Sequence, residues 1–395
     1  MKILFIHNKY KQFGGEDVAV ELETSVLLEK GHEVKTLFFD NKPIKGFFSK
    51  LAAAFGAVYS FSSARKTSKT IFEFKPDIIH IHNLFFIASP SVLYAASKHN
   101  IPVVFTLHNY RLICANALLM RNNEVCELCM HKKFPLSGIK YRCYRNSTTE
   151  SALVTTITGI HKLINTWKNK IAVFITLNEF SRSKLLDSSL QIPATKMITK
   201  PNFVRDSGEG NELREDFFLF AGRIVKEKGV HVLAQAFAAM PENKIVIIGD
   251  GPEKKLLREK FKSYKNISFT GQMEIQLVSG YMKRCKAFIC PSIWYEGAPL
   301  TIIEAFAAGT PVIASRLGAM AESITDGFNG LHFTAGNAED LCEKIRLFTK
   351  ETENNTMFYK NARQTYLEKY HEDIHYHAIL TIYENAIAKN NDRKI

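Results

Sequence analysis

Two glutamates separated by seven residues, Glu296 and Glu304, are the side chains whose types and spacing point most directly to chemistry. Eight positions are about two turns of helix, so a loop glutamate and a helix glutamate at this spacing could address one ligand. Free backbone N–H groups at the start of such a helix suit an anion. The residues predicted to offer such N–H groups are Gly297, Ala298, Leu300 and Thr301, and Pro299 among them is also predicted to contact the ligand. Two carboxylates beside a phosphate site fit a ligand with hydroxyl groups at both ends, such as a nucleotide sugar.

Two basic residues, Arg223 and Lys228, follow a predicted strand in the same half of the chain. Arginine offers a planar fork for two phosphate oxygens, and lysine a mobile point charge. Together they could neutralise a leaving nucleoside diphosphate without a metal ion, since the sequence has no convincing Asp-x-Asp pair for a divalent cation. The alternative is a pair of solvated surface bases, which an isolated match of this kind more often represents.

The N-terminal half offers a glycine pair and several histidines at the ends of predicted strands. Gly14 and Gly15 follow the first strand and precede a helix, where paired glycines let the backbone approach a phosphate or an acceptor. His108 directly follows the predicted strand 103–107, so we expect it to point into a ligand cleft. A tight turn and a structural histidine with satisfied hydrogen bonds are the alternatives. The residues that end the preceding strand and could join His108 are His80, His82 and Asn83.

Short apolar runs alternate with amphipathic stretches along the chain, which is the pattern of parallel sheets flanked by helices. A polar seam at residues 201–215 divides the pattern in two. We therefore predict an α/β protein with two Rossmann-like domains, residues 1–200 and 201–375, facing each other across a cleft that holds the ligand. The predicted strands of the first domain are 3–7, 34–39, 78–82, 103–107 and 173–177. Those of the second domain are 217–221, 245–249, 267–270, 287–290 and 312–315.

The bulk composition is that of a globular protein. Of 395 residues, 46% are apolar and 23% are charged, which excludes a disordered chain. The longest apolar runs, 51–64 and 84–97, contain serines and fall short of the ~20 residues that a membrane-spanning helix requires. No secretory signal is readable after Met1. We therefore expect a cytoplasmic protein.

The net charge of +13 is confined to the first half of the chain. Residues 1–200 hold 27 Lys and Arg against 14 Asp and Glu, whereas the remaining residues hold 25 of each kind. This asymmetry indicates an anionic partner. No zinc-finger, RRM or KH signature is present, so we expect no nucleic acid and favour peripheral binding to the anionic inner face of the cell membrane. A solubilising surface is the alternative. Residues 47–61, followed by Arg65 and Lys66, fit either an interfacial helix or a buried one.

Four of the seven cysteines fall between residues 114 and 143. Cys126 and Cys129 form a C-x2-C pair that Cys114 and Cys143 flank, so four thiolates could complete a tetrahedral structural zinc site. The irregular outer spacings leave open that the segment packs free thiols instead, and disulfides are not expected in the cytosol. The segment follows His108 and would border the acceptor side of the cleft.

Six segments, taken in order, resemble the retaining glycosyltransferases of family 4, the glycosyl transferases group 1, which have the GT-B fold. Glu296-x7-Glu304, followed by GTPVIAS and Glu322, resembles the family's signature, and FAGRIVKEK at 220–228 resembles its diphosphate-binding segment. IIGDGP at 247–252, which contains Gly249, resembles its second glycine turn. FGGED at 13–17 and TLHNYR at 106–111 resemble the bacterial polysaccharide-biosynthesis branch.

The resemblance implies roles for these residues. Glu304 would accept hydrogen bonds from the ribose hydroxyls, and His108 would donate one beside the donor sugar and phosphates. Glu296 would bind hydroxyls of the transferred sugar while front-face attack preserves its configuration. From the residues alone, a nucleophilic role for Glu296, like that of one carboxylate in retaining glycosidases, stays open. The tail at 376–395 would be a helix that returns to the N-terminal domain.

The implied activity is that of a retaining, metal-independent hexosyltransferase. It would move a sugar from a UDP- or GDP-sugar to a saccharide or a polyprenyl-diphosphate-linked acceptor, in capsule, exopolysaccharide, O-antigen or lipopolysaccharide assembly. We expect no catalytic cofactor. One rival is a non-catalytic GT-B partner subunit, which would show decayed donor motifs, whereas those of this chain are intact. Another rival is a sugar-nucleotide epimerase of the same fold, which would need no acceptor pocket.

Overall fold

The computed structural model describes residues 1–9, 14–40, 56–85, 87–210, 213–350 and 352–392. The chain divides into two compact units. The N-unit comprises residues 1–119, 126–201 and 375–395, and the C-unit comprises residues 120–125 and 202–374. Most of the predicted interfacial segment at 47–61 lies outside the described residues. In the part of the chain described, no helix is both long and apolar enough to cross a membrane.

The N-unit is built on a six-stranded parallel sheet with strand order β2-β1-β3-β4-β7-β8. Its strands are β1 (Lys2–Lys9), β2 (Glu33–Asp40), β3 (Ile78–Asn83), β4 (Val103–Leu107), β7 (Val173–Thr176) and β8 (Met197–Thr199). A short antiparallel hairpin between β4 and β7 in sequence consists of β5 (Met120–Arg121) and β6 (Glu124–Val125).

Seven helices join these strands in the described residues, and the last helix of the chain completes the unit. The seven are α1 (Gly15–Glu29), α2 (Phe61–Phe74), α3 (Ser91–Lys98), α4 (Ser137–Lys140), α5 (Thr148–Leu163), α6 (Thr166–Lys170) and α7 (Glu179–Leu186). Residues of the last helix pack with the inner strands in one buried cluster that includes Ile379, Ile382 and Tyr383. Strands β3 and β4 are buried along their whole length, as expected for a parallel sheet covered on both faces.

The C-unit repeats the architecture with strand order β11-β10-β9-β12-β13-β14, again all parallel. Its strands are β9 (Phe218–Ala221), β10 (Ile245–Ile248), β11 (Ile267–Gly271), β12 (Phe288–Cys290), β13 (Val312–Ser315) and β14 (Gly330–Phe333). Its helices are α8 (Val230–Ala238), α9 (Lys254–Lys260), α10 (Ile275–Met282), α11 (Leu300–Ala307), α12 (Ala319–Ser323), α13 (Ala338–Lys350) and α14 (Thr352–Lys369). The chain then continues into α15 (Glu372–Asp392).

All ten predicted strands are present, with ends that differ by at most two residues from the predicted ones. The strands that the sequence pattern missed, β5, β6, β8 and β14, are two to four residues long. Runs this short carry too little apolar periodicity to be recognised. Two buried clusters, which include Phe218 and Phe288 respectively, form the apolar core of the C-unit.

Candidate active site

In the C-unit, Lys228 and Glu296 form an ion pair. Oε1 of Glu296 accepts hydrogen bonds from Nζ of Lys228 at 2.7 Å, Oγ of Ser292 at 2.6 Å and Nε1 of Trp294 at 3.0 Å. Glu296 is only 4% exposed. Burial would lower the pKa of Lys228, but the carboxylate beside it raises that pKa overall. Lys228 is therefore charged at neutral pH, and one oxygen of Glu296 is held by three donors.

Backbone packing brings these two side chains together. Gly229, which ends the loop after β9, has φ +67°, and a Cβ on it would lie 1.9 Å from the carbonyl oxygen of Pro291. Only glycine permits both this conformation and this approach. The N–H of Ile293 donates to the carbonyl of Glu227 at 2.9 Å. The loop that carries Lys228 therefore lies directly against the loop that carries Glu296.

The other residues of the predicted diphosphate segment differ in their surroundings. Arg223 is exposed, and its charge disfavours that of Lys228, which places the two cations near each other. Gly249 has φ +143°, and a Cβ on it would lie 1.8 Å from the carbonyl oxygen of Gly222. This contact between the turns after β9 and β10 explains why position 249 is a glycine. Donor binding by Gly249 stays a prediction.

The helix predicted between the two glutamates is α11, which begins at Leu300 with Pro299 as its N-cap. Its first N–H groups have no partners within the helix. Gly297 and Ala298 lead into this helix end, and Thr301 lies in its first turn. A helix therefore begins where the sequence predicted one, and the binding of an anion at its start stays a prediction.

Glu304 is the fifth residue of α11, one turn beyond the helix start. Burial raises the pKa of its carboxyl group to about 7, with no ion pair recorded for it in the described residues. The side chain therefore exchanges its proton near neutral pH. A carboxylate in such a place gains from donors that a ligand brings, because it can accept two or more hydrogen bonds.

In the N-unit, His108 follows β4 and belongs to a connected group of buried polar side chains. Its Nε2 lies 2.9 Å from Nδ1 of His82, and the two rings stack at a centroid distance of 5.2 Å. Nε2 of His82 lies 3.7 Å from Oε1 of Glu23. Burial lowers the pKa of His108 to about 3, so its ring is neutral at physiological pH. It can exchange a hydrogen bond with a ligand but offers no positive charge to a phosphate.

Glu23, on α1, is the centre of this group. Its carboxylate oxygens lie 2.9 Å from Nδ1 of His80, 3.2 Å from Nζ of Lys200 and 2.9 Å from Nε2 of His375. Burial would raise the pKa of Glu23, but Lys200 and the histidines hold it well below its ordinary value. Tyr383 on α15 hydrogen-bonds to Nδ1 of His80 at 2.7 Å. The group therefore contains a buried Glu–Lys ion pair surrounded by histidines.

Glu23, His80 and His82 place ligand atoms within 4.8 Å of one another, which would suit a metal ion. No other set of three or more such side chains is found in the described part of the chain. The ammonium group of Lys200 on the same carboxylate opposes a second cation in this buried place. We therefore interpret the three side chains as part of a hydrogen-bonded network.

Gly14 and Gly15 lie at the start of α1, with Gly14 as the N-cap. The N–H of Gly14 donates to Oδ2 of Asp17 at 3.0 Å, and Oδ1 of Asp17 lies 2.9 Å from Nε2 of His7. The glycine pair thus leads into a capped helix tied to the end of β1. A ligand contact of the glycine pair stays a prediction.

The four clustered cysteines are free thiols. Burial, with the neighbouring Cys114, Cys143 and Cys126, raises the pKa of Cys129 to about 12. Burial also raises the pKa of Cys114, whose Sγ donates to Oδ1 of Asn116 at 2.9 Å. The four side chains are neighbours, but no three of their sulfur atoms lie within 4.8 Å of one another, among the residues described. The structural zinc stays a prediction.

Several side chains of these groups carried no recognisable signal in the sequence. Ser292 and Trp294 lie beside Glu296 in the chain, yet neither type indicates a carboxylate partner. Glu23 sits in an amphipathic helix, where a charged residue is normally solvated. Lys200 and His375 reach Glu23 from 177 and 352 positions away, so only the folded chain brings them together.

Two family models match the chain. One is described as glycosyl transferases group 1 and matches residues 205–365, and the other as glycosyltransferase family 4 and matches residues 14–135. A glycosyltransferase of Methanocaldococcus jannaschii is 28% identical over 356 residues, which cover 87% of each chain. A 42.6 kDa protein of the cps region of Klebsiella pneumoniae is 22% identical, covering 82% of this chain and 87% of its own. The crystal structure of Anabaena HepE in complex with UDP covers 98% of this chain and 100% of its own, at 16% identity and a TM-score of 0.69.

Proposed function

This chain belongs to glycosyltransferase family 4, the glycosyl transferases group 1, and has the GT-B fold, and from that premise we propose its reaction. The protein transfers a sugar from a nucleoside diphosphate to an acceptor hydroxyl with retention of anomeric configuration, without a metal ion. The observation that carries this proposal is the Lys228–Glu296 pair next to the start of α11. A cation, an acid and free N–H groups are gathered there for a ligand with phosphates and hydroxyls.

The donor binds to the C-unit in this proposal. Arg223, Lys228 and the start of α11 neutralise the diphosphate as it leaves, which replaces the charge that a divalent cation would supply. Glu304 accepts hydrogen bonds from the ribose hydroxyls, and ligand binding lowers its pKa. UDP bound to HepE supports a uridine nucleotide as the first donor to test.

Glu296 binds hydroxyls of the transferred sugar in this proposal and does not attack the anomeric carbon. Its Oε1 accepts three hydrogen bonds, which fix the orientation of the carboxylate. A nucleophile must be able to approach carbon, whereas three donors hold this carboxylate in one orientation. A binding role fits this geometry better, and it agrees with retention by front-face attack.

The acceptor is a saccharide or polyprenyl-diphosphate-linked saccharide of cell-surface polysaccharide assembly. The match to a protein of a cps region supports this branch. Binding at an anionic membrane surface is supported by the charge of the first 200 residues. It is also supported by α2, where Phe61 and Phe72 are 82% and 75% exposed. Arg65 and Lys69 lie between them at helical spacing, so one face of α2 presents two aromatic and two basic side chains.

The test is donor binding in the presence of EDTA, followed by product analysis. A sugar nucleotide at about 100 times its dissociation constant should stabilise the protein by about 2.7 kcal/mol. Arg223→Ala should lose most of this effect, whereas Arg258→Ala, which removes another exposed arginine of the C-unit, should keep it. NMR of the product should show the anomeric configuration of the donor. If no sugar nucleotide binds, or if turnover requires an added metal ion, the proposal is wrong.

A further inference from the structure

Three side chains of the N-unit form a line from a buried acid to His108. Oε1 of Glu23 lies 3.7 Å from Nε2 of His82, and Nδ1 of His82 lies 2.9 Å from Nε2 of His108. Nε2 of His82 is buried and has no hydrogen-bond partner in the described residues, and Oε1 of Glu23, which also lies 2.9 Å from Nδ1 of His80, is the acidic oxygen nearest to it. In the described residues, the contact with His82 is the one hydrogen bond of the His108 ring. The other ring nitrogen of His108, Nδ1, is available to a ligand.

The line has two possible proton arrangements, because burial keeps both imidazoles neutral and each carries one proton. In the first, His82 is protonated at Nε2, its Nδ1 accepts from Nε2–H of His108, and Nδ1 of His108 is a bare acceptor. In the second, His82 is protonated at Nδ1 and donates to His108. Nδ1 of His108 then carries the proton.

The charge of Glu23 distinguishes the two arrangements. In the second arrangement, the lone pair of Nε2 of His82 would face an ionised carboxylate oxygen 3.7 Å away in a buried place, which is repulsive. In the first arrangement, an N–H group faces the same oxygen, which is attractive. The distance is too long for a good hydrogen bond, but the interaction of an N–H dipole with a full charge persists at this range.

We propose that Glu23 is a positioning residue that, through His82, fixes the proton of His108 on Nε2 and leaves Nδ1 as a hydrogen-bond acceptor. The ligand of Nδ1 is then a hydroxyl group, because a phosphate oxygen cannot donate a proton to it. This reverses the donor role that the sequence suggested for His108. The inference rests on the proposed function only for the identity of the ligand, which is a hydroxyl of the donor sugar or of the acceptor saccharide.

The proton positions can be measured in the free protein by NMR of chain labelled with 15N-histidine, with His108→Gln used to assign the signals. We expect His82 and His108 to carry their protons on Nε2. The double variant Glu23→Gln/Lys200→Met removes both charges of the buried pair, so no unpaired charge is left behind. In this variant we expect a new population of His108 protonated at Nδ1.

Thr106→Val is the matched control, because Thr106 hydrogen-bonds to Nε2 of His80 in the same group but, in the part of the chain described, makes no hydrogen bond to His82. It should leave the proton of His108 on Nε2. A wild-type His108 protonated on Nδ1 would overturn the proposal without any variant. An unchanged His108 in the folded double variant would overturn the role of Glu23.

Kinetics test the ligand separately. The double variant should lose about tenfold in kcat/KM, which is the loss of one hydrogen bond. A rise in the KM of the donor assigns the hydroxyl to the donor sugar, and a rise in the KM of the acceptor assigns it to the acceptor. If the proton of His108 moves while kcat/KM and the KM values of donor and acceptor stay unchanged, the acceptor role of Nδ1 is wrong. If wild type transfers no sugar at all, the proposed function fails, but the NMR result on Glu23 is unaffected.

Discussion

The Nζ of Lys228 lies 2.7 Å from Oε1 of Glu296, so the cation proposed for phosphate is already paired with the acid proposed for sugar. In the proposed function, the pair would join the diphosphate site to the sugar site through one charge interaction. When a diphosphate binds, Lys228 must serve both anions. The first prediction follows from this competition.

Glu296→Gln should strengthen the binding of free nucleoside diphosphate and weaken catalysis. Removing the carboxylate leaves the charge of Lys228 for phosphate, which we expect to lower the dissociation constant of UDP about fivefold. Turnover should fall at least a hundredfold, because the sugar loses its charged partner. Isothermal titration calorimetry and steady-state kinetics measure the two effects. Glu343→Gln, which removes an exposed acid of α13, should change neither.

Donor binding should strengthen as pH rises through about 7, the pKa of Glu304. The ionised carboxylate can accept hydrogen bonds from two ribose hydroxyls. The protonated acid accepts fewer, and its own O–H group requires an acceptor. Dissociation constants measured from pH 5.5 to 8.5 should show this slope in wild type, and Glu304→Gln should abolish it. A slope that survives in Glu304→Gln would belong to another group.

The same carboxyl group should make wild-type stability fall with pH. The folded chain keeps the proton of Glu304 up to about pH 7, whereas the unfolded chain releases it near pH 4.5. The folded state therefore binds more protons in this window, and the free energy of unfolding decreases as pH rises through it. Glu304→Gln should thus gain about 1–3 kcal/mol over wild type at pH 8 and almost nothing at pH 4. Urea unfolding at the two pH values measures the difference. An equal gain in stability at both pH values would show that the gain comes from packing and not from the proton of Glu304.

Lys200→Met should destabilise the N-unit strongly. It leaves the carboxylate of Glu23 buried without its cation, a change that typically costs about 3–5 kcal/mol. Adding Glu23→Gln should recover much of the loss, because the pair is then removed as a whole. Chemical denaturation of the two single variants and the double variant gives the coupling energy. A double variant as unstable as Lys200→Met would show that the loss of stability comes from altered packing and not from the unpaired charge.

The exposed face of α2 should bind anionic vesicles. Phe61→Ser with Phe72→Ser should reduce binding to vesicles of phosphatidylserine and phosphatidylcholine at least tenfold, since two exposed aromatic side chains that would insert into the bilayer are lost. Cosedimentation at two salt concentrations separates this apolar contribution from that of Arg65 and Lys69. Leu213→Ser, which changes a side chain 91% exposed in the C-unit, is the control and should bind as wild type.

The sequence predicted the sheets well because parallel strands buried on both faces read as uninterrupted apolar runs, as in β9 and β10. It also predicted where α11 begins, since a proline and a small residue precede an apolar helix there. The sequence did not predict the pairing of Lys228 with Glu296. That pairing depends on the approach of Gly229 to Pro291, which joins segments more than sixty residues apart. The sequence did not predict the network around Glu23 either, because its members also lie far apart along the chain.

The last helix, α15, supplies His375, Ile379, Ile382 and Tyr383 to the N-unit, whose other residues all precede position 202. During synthesis, the ribosome therefore makes the entire C-unit before it releases these side chains. Until α15 is made, the nascent N-unit lacks part of its apolar core and lacks His375, one of the partners of Glu23. The C-unit core contains only residues that precede α15, so it can complete its folding first. We therefore expect the C-unit to complete its folding before the N-unit, although most of the N-unit is translated first.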